Sequence, residues 1–207
     1  MLDDSSRQWF KSKVDSVAES QLDSSLLPLF KAFTQHFIHI HIADNMLAWK
    51  VEDMYAALFG LFNLLHSRTD MGPQIRIFNP TVESDGWTSP HTNIYICQTD
   101  MPFLVDSARM TLNRLGLNIY LFESNPAWVR RDEQGTVLAI VKGAPVANAA
   151  DYSKEDFAFL QIDFQGDAQE RDNIRQELLS TLAEVQCSVS DHKPMLKLVD
   201  ELIEEME

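Results

Sequence analysis

Glycine and cysteine are scarce in this chain. Its 207 residues include seven glycines and two cysteines. All seven glycines are isolated, so the sequence holds neither the G-x-G-x-x-G pattern nor the P-loop that cradles phosphates, and no cofactor is expected to bind this chain. Cys97 and Cys187 lack C-x-x-C spacing. That pattern favours buried, reduced thiols in a cytoplasmic protein.

Positive charge and long apolar runs are also in short supply. The chain has 17 Lys plus Arg against 31 Asp plus Glu, which gives a net charge of −14. A surface this acidic repels nucleic acids and anionic membranes, so neither is an expected partner. The most apolar run, at 54–65, has about twelve residues, whereas a membrane span needs about twenty. The apolar content of 45% is enough to bury a globular core.

The spacing of apolar residues over 1–72 predicts a helical segment. Phe10, Val14 and Val17 form the apolar stripe of a first helix. Ser24 and Ser25 are candidate caps of a second helix, which places Pro28 in its first turn. A short third helix would be capped by Asp44, and a fourth is predicted over 51–66 with apolar residues on most sides. The second helix takes its apolar face from Phe30, Phe33 and Phe37.

The alternation of strand-like and helix-like runs over 73–207 predicts a mixed α/β domain. Strands are expected at 74–78, in "TNIYIC", from Leu117, in a hairpin turning at 132–135, in "FAFLQIDF" and, as an edge strand, in "CSVSD". Helices are expected at 102–115, where Gly116 would supply the left-handed end, from Asp167, and from Pro194. The stretch "NPTVESDGWTSP" is predicted to be a loop. This order is typical of an α+β, ferredoxin-like antiparallel sheet with an added hairpin.

Candidate catalytic and metal-binding residues are few. No single regular conformation collects His36, His39 and His41, so packed histidines are favoured over a metal site. Ser107 lacks the strained elbow of a nucleophile, and its neighbour Asp106 is expected to complement the helix dipole. We therefore predict no catalytic residue and no metal ligand in this chain.

Two arginines precede the predicted hairpin turn. Arg130 and Arg131 could clamp a carboxylate. Exposed strand positions that balance the acidic turn residues are the favoured interpretation.

The start of the helix at 102–115 is a candidate anion site. Its free backbone N–H groups and positive dipole end could hold a carboxylate ligand. Alternatively, Asp100 already caps those N–H groups. Both interpretations remain open from the residues alone.

The stretch "TDMPFLVDSARMTLNRLGLNI" resembles the start of an ACT domain, the βαββαβ regulatory module of many amino-acid enzymes. Asp100, Pro102 and Leu104 match the turn and the helix of that pattern, and Gly116, Asn118 and Ile119 match the entry to the next strand. Phe103 stands where ACT domains have glycine. The resemblance implies an α+β fold and a possible amino-acid effector. The expected effector-binding residues are Asp100, Met101, Phe103, Leu104 and Asn118, the last from a neighbouring copy.

A closer resemblance is to the N-terminal region of the large bacterial NAD-specific glutamate dehydrogenases. It is carried by "IRIFNP", "GW-x-S-x-H-T", "DMPFLVDS", "NRLGL" and "R-R-D-x-x-G". In that family Phe103 is the usual residue. The resemblance implies a parent that oxidises L-glutamate to 2-oxoglutarate and ammonia with NAD, with its catalytic core outside these 207 residues. The uncapped end "EEME" also favours a piece of a longer chain.

Two roles follow from the resemblance. The first is a regulatory domain that senses an amino acid within a homo-oligomer. The second is a structural module that contacts other subunits or the rest of the parent chain and binds nothing small. The second is favoured by Phe103, whose ring is expected to fill the ligand's space or to pack into the sheet.

Overall fold

The computed structural model describes residues 4–41, 46–68, 72–145 and 148–206. The helical part contains α1 (Asp4–Gln21), α2 (Leu27–His41), a 3-10 turn at Met46–Ala48 and α3 (Val51–His66). The remaining elements follow in the order β1 (Gln74–Phe78), α4 (Val82–Asp85), β2 (Thr92–Thr99), α5 (Leu104–Arg114), β3 (Ile119–Arg131), β4 (Val137–Val141), a 3-10 turn (Ala149–Asp151), β5 (Tyr152–Ile162) and α6 (Ala168–Met206).

The five strands form one antiparallel sheet in the order β1-β2-β5-β3-β4. Its centre is β5, which pairs with β2 on one side and with β3 on the other. The hairpin between β3 and β4 turns where it was predicted, and Gly135 there has a φ of 83°. The predicted α+β, ferredoxin-like architecture with an added hairpin is confirmed.

The strand predicted in "CSVSD" is wrong, because these residues belong to α6. That helix runs without a break to Met206, so the separate helix expected from Pro194 is also absent. The physical reason is a continuous stripe at Ile174, Leu178, Leu182, Val185 and Val189, which keeps helical spacing through the segment. The sheet edge beside β2 is already occupied by β1.

The predicted loop before β2 holds a short helix. Residues Val82–Asp85 form α4, and the hydroxyl of Thr81 accepts a hydrogen bond from the backbone N–H of Ser84. Gly86 ends the helix with a φ of 79°. The prediction missed this helix because one turn is too short to show apolar periodicity.

Helices cover both faces of the sheet. In β2, Ile94 and Ile96 pack toward α5 and α6, whereas Tyr95 and Cys97 pack toward α1, α2 and α3. Alternation along a strand sends successive side chains to opposite faces, and here both faces are dry. The result is three layers with two apolar clusters separated by the sheet.

The predicted helices of the N-terminal segment are confirmed where the structure describes them. Phe30, Phe33 and Phe37 are fully buried, and Pro28 is the second residue of α2. Asp44 itself lies outside the described residues, and a 3-10 turn at Met46–Ala48 stands where the short third helix was expected. The ring of Phe33 lies 5.1 Å from that of Phe157, so packing crosses the predicted boundary between 1–72 and 73–207. That division stays a prediction.

The two thiols have different surroundings. Cys97 is buried in β2, as predicted, and burial raises the pKa of its thiol. The prediction is wrong for Cys187, which is exposed on α6. It lies beyond Leu182, the last fully buried residue in the part of α6 whose side chains the structure describes. Among the described helices, none combines the length and apolarity needed to cross a bilayer.

Candidate functional site

The turn that joins β2 to α5 has an unusual backbone at Phe103. This residue is the N-cap of α5, with φ 68° and ψ 2°, in the left-handed region that favours glycine. The turn therefore has a backbone conformation that glycine adopts most readily, at the position where the ACT pattern has glycine and this chain has phenylalanine. Its ring is 69% exposed. The expectation that the ring packs into the sheet is wrong, because the side chain is exposed. The expectation that it fills a ligand's space stays a prediction.

Asp100 pairs with a neighbouring strand. Its carboxylate lies 2.8 Å from Nζ of Lys154, and its backbone N–H donates to the Lys154 carbonyl at 2.9 Å. The N-cap of α5 is Phe103, which has no side-chain acceptor. The alternative in which Asp100 caps the helix is therefore wrong, and no side chain caps the first N–H groups of α5.

A groove of about 660 Å³ lies between the start of α5 and α6. Pro102, Phe103 and Ser107 line one wall. The other wall belongs to α6 and consists of Thr181, Glu184, Val185, Ser188 and Val189. We call this space the α5–α6 groove. It combines apolar and hydroxyl-bearing surface with one carboxylate, that of Glu184.

Other predicted site residues hold the turn in place. Leu104 is buried, and Met101 packs partly buried against the same apolar cluster beneath α5. Their side chains anchor the backbone of the turn to the core. Asp106 lies in the first turn of α5, where its charge complements the dipole as predicted.

Asn118 lies at the other end of α5. Its backbone N–H and its Nδ2 both donate to Oδ2 of Asp163, at 2.8 and 2.9 Å, and Tyr120 donates to Oδ1 at 2.8 Å. These bonds, led by the one from the Asn118 backbone, lower the pKa of Asp163. Because α5 is about 16 Å long, Asn118 is far from the turn at 100–104 within one chain.

Sequence reasoning missed a buried polar cluster beneath the turn. Gln98 in β2 pairs in register with Asp156 in β5, and Ser124 of β3 donates to both Asp156 carboxylate oxygens at 3.0 and 2.9 Å. Burial raises the pKa of Asp156 to about 6. Both side-chain polar atoms of Gln98 are buried without a partner. The available signal was the presence of polar residues within apolar strand sequences.

The favoured interpretation of Arg131 is wrong. Its guanidinium clamps the buried carboxylate of Glu155, with Nε 2.8 Å from Oε1, and Arg68 approaches Oε2 at 2.9 Å. Burial alone would raise the pKa of Glu155, but the hydrogen bonds and charges of these arginines outweigh it and lower that pKa. The partner of Arg131 is set by the pairing of β3 with β5. Arg130 lies over the ring of Tyr152 at 5.8 Å.

His36 is a packed histidine, as expected. It is buried, and its Nε2 donates to the carbonyl of Pro126 at 3.0 Å. Burial lowers its pKa. The side chains of His39 and His41 lie outside the described part of the chain. Within that part, no three His, Cys, Asp or Glu side chains group as a metal site would require.

Comparison with known proteins assigns the fold to a family. Residues 33–178 match the model of the glutamate dehydrogenase ACT1 domain. The chain belongs to this family. The matched range begins in α2 and ends in α6, so it includes α3 as well as the whole sheet of the ACT1 domain.

Two curated relatives of this ACT1 domain carry the name NAD-specific glutamate dehydrogenase. The one from Pseudomonas aeruginosa is 31% identical over 195 residues, which are 94% of this chain and 12% of that protein. The one from Halomonas elongata is 29% identical over 189 residues, or 91% of this chain and 12% of that protein. The chain thus spans about one eighth of the length of these relatives. No solved structure matches. The resemblance found in the sequence is confirmed.

Proposed function

We propose that this ACT1 domain is the non-catalytic N-terminal regulatory and assembly region of an NAD-dependent glutamate dehydrogenase. The observation that carries the proposal is the match of residues 33–178, together with two relatives named as NAD-specific glutamate dehydrogenases. The parent would oxidise L-glutamate to 2-oxoglutarate and ammonia in the cytoplasm. NAD and the reacting groups would then belong to the rest of the parent chain.

The α5–α6 groove is the place where an amino-acid effector would bind. The uncapped N-terminus of α5 adjoins the groove at Phe103 and suits a carboxylate, and Glu184 on the opposite wall suits an ammonium group. A zwitterion therefore finds a partner for each of its charges. Asn118 would reach this groove only from a neighbouring copy, which ties effector binding to a homo-oligomer.

Calorimetric titration with a panel of amino acids, glutamate and aspartate included, tests this role. We expect saturable binding of at least one amino acid to the wild-type chain and about tenfold weaker binding to Glu184→Gln, because a charged hydrogen bond is lost. Glu170→Gln is the matched control, since Glu170 is exposed in the first turn of the same helix. No heat from any amino acid at millimolar concentration would overturn the effector role.

A purely structural module is the second candidate. It is favoured by exposed apolar side chains on the α5 side of the molecule, because Phe103 is 69% and Met110 is 70% exposed. The outer strands β1 and β4 also offer edges for pairing with another subunit. Light scattering on the isolated chain measures its molar mass and so shows whether it self-assembles. A strict monomer at all concentrations would contradict assembly through this chain alone.

A further inference from the structure

A second cavity, of about 390 Å³, lies where the start of α3 meets the segment that leads into β2. We call it the tryptophan pocket. It is lined by Trp49, Asp53, Trp87, Thr88, Ser89, Pro90, His91, Tyr120 and Gln161. It shares no residue with the α5–α6 groove. Its volume falls within the range of small-molecule sites.

Aromatic rings form the walls of the tryptophan pocket. Trp49 and Trp87 lie 5.4 Å apart between ring centroids, and His91 stacks on Tyr120 at 4.1 Å. Ring faces of Trp and Tyr attract cations. Of the cation–π contacts among the described residues, none uses a ring of this pocket. Trp87 is buried and His91 covers one face of Tyr120, so the ring surface open to a ligand belongs to the half-buried Trp49 and to the other face of Tyr120, which is 50% exposed.

The polar groups of the pocket are mainly acceptors. Asp53 is half-buried, and no described residue forms a hydrogen bond or ion pair with its carboxylate. Gln161 uses Nε2 to donate to Ser89 and Asn93, at 3.2 and 3.0 Å, which leaves its Oε1 as an acceptor. No Lys or Arg is among the described lining residues. The pocket thus presents one negative charge and no permanent positive charge to a ligand.

The pocket is held in shape without a ligand. Residues 87–91, part of the motif "GW-x-S-x-H-T", contribute five consecutive lining residues. The backbone N–H of His91 donates to Oγ of Ser89 at 3.1 Å, and Nδ2 of Asn93 donates to the His91 carbonyl at 2.9 Å. A site fixed in this way loses little conformational entropy on binding.

We propose that the tryptophan pocket binds a small organic ammonium ion. Its charged nitrogen lies against Asp53, and its alkyl groups contact the rings of Trp49 and Tyr120. The net charge of −14 raises the local concentration of such cations. This site is independent of the proposed effector groove, so either can fail without the other.

Titration with choline tests the ligand class. Binding is followed by tryptophan fluorescence, since two of the chain's four tryptophans line the pocket, and by calorimetry. We expect saturable binding of choline and at least about tenfold weaker binding of 3,3-dimethylbutan-1-ol, its neutral isostere. Equal affinity for the alcohol, or no saturable binding of choline, overturns the proposal.

Substitution tests the position of the site. Asp53→Asn is expected to weaken choline binding about tenfold, because it removes the charge and keeps the shape. Glu52→Gln is the control, since it makes the same charge change at an exposed residue of the same helical turn. Its affinity for choline should stay within about twofold of the wild-type value, because exposed charges are screened. An equal loss in both variants would show general attraction to an acidic surface and would sink the proposal. Circular dichroism confirms that each variant is folded.

Discussion

At the scale of single residues, Phe103 combines two features that rarely occur together. Its backbone has a positive φ, and its large side chain is mostly exposed. A non-glycine residue in this region carries a strain of about 1 kcal/mol, and an exposed ring returns little burial energy to offset it. The strain must therefore be imposed by the turn, which is anchored by Leu104 and by the pairing of Asp100 with Lys154.

Replacement of Phe103 separates backbone strain from side-chain contacts. We expect Phe103→Gly to be more stable than Phe103→Ala by about 1 kcal/mol, because both lose the ring but only glycine relieves the positive φ. Urea unfolding of the two variants measures the difference. A Phe103→Ala variant as stable as Phe103→Gly, or more stable, would refute the left-handed conformation of this residue.

Asp156 gives the molecule a pH-dependent stability. Burial raises its pKa from 3.8 to about 6, so the folded state holds this proton more tightly than the unfolded state does. Its contribution is fully present below about pH 4 and is lost as the pH rises through 6. We expect the free energy of unfolding of the wild type, relative to Asp156→Asn, to fall by up to about 3 kcal/mol over this window.

Denaturant titrations at several pH values measure that change. In Ser124→Ala the pH range over which this stability is lost should move to higher pH. Ser124 donates hydrogen bonds to the ionised carboxylate, so its removal raises the pKa of Asp156 further. A difference between wild type and Asp156→Asn that stays constant from pH 4 to pH 7 would contradict a raised pKa.

How far the sequence predicted single residues depends on the range of their interactions. Gly116 was expected to end α5, and it does so with a φ of 75°, because a helix end is decided within a few residues. Arg131 was misjudged because its partner Glu155 is 24 residues away and is brought near only by strand pairing. Gln161 and Trp49 reach the tryptophan pocket from different elements, so no local pattern connects them.

At the scale of elements, α6 shows two signals in conflict. The segment "CSVSD" is short enough to be an edge strand, yet the stripe from Ile174 to Val189 continues through it at helical spacing. A sustained period outweighs a few residues of β-propensity, which is itself dependent on packing partners. Most other strands and helices were predictable because each carries one clear period.

A proline in this stretch tests its helical state. Ser190 is exposed in α6, so Ser190→Pro should reduce the helical signal at 222 nm, because proline within a helix costs about 3 kcal/mol locally. The urea midpoint followed by tryptophan fluorescence should barely move, since the residue contributes nothing to either apolar cluster. Ser190→Ala is the control that keeps the helix. A large loss of global stability in Ser190→Pro would favour a role within the sheet.

At the scale of the whole molecule, a buried ion cluster joins the layers. Glu155 in the central strand binds Arg68, which follows α3, and Arg131, which also donates to the Leu65 carbonyl of α3 at 3.0 Å. The helical layer is thus connected to the sheet by charge as well as by apolar packing. Sequence patterns predicted the layers, but they could not predict this junction, because it depends on how the layers dock.

Loss of the central carboxylate should weaken the entire structure. We expect Glu155→Gln to lower the free energy of unfolding by about 3–5 kcal/mol, because two guanidinium groups then face a neutral amide in a buried site. Chemical denaturation with far-UV and fluorescence detection tests both the size of the loss and whether the layers unfold together.

Glu133→Gln is the matched control for that measurement. Glu133 is exposed in the turn between β3 and β4, and its replacement should change stability by no more than about 0.5 kcal/mol. Comparable losses in the two variants would show that the buried cluster contributes little.

The two thiols differ in burial, so the rates at which they are labelled report on opening of the fold. Cys187 is exposed, although its hydrogen bond to Asp191 raises its pKa. Cys97 lies between the sheet and the helical layer. An alkylating reagent would therefore add one mass increment to the native chain at mildly alkaline pH and a second only when the layers separate. Intact-mass spectrometry can count these increments over time. The rate of the second labelling then measures how fast the layers open to expose Cys97.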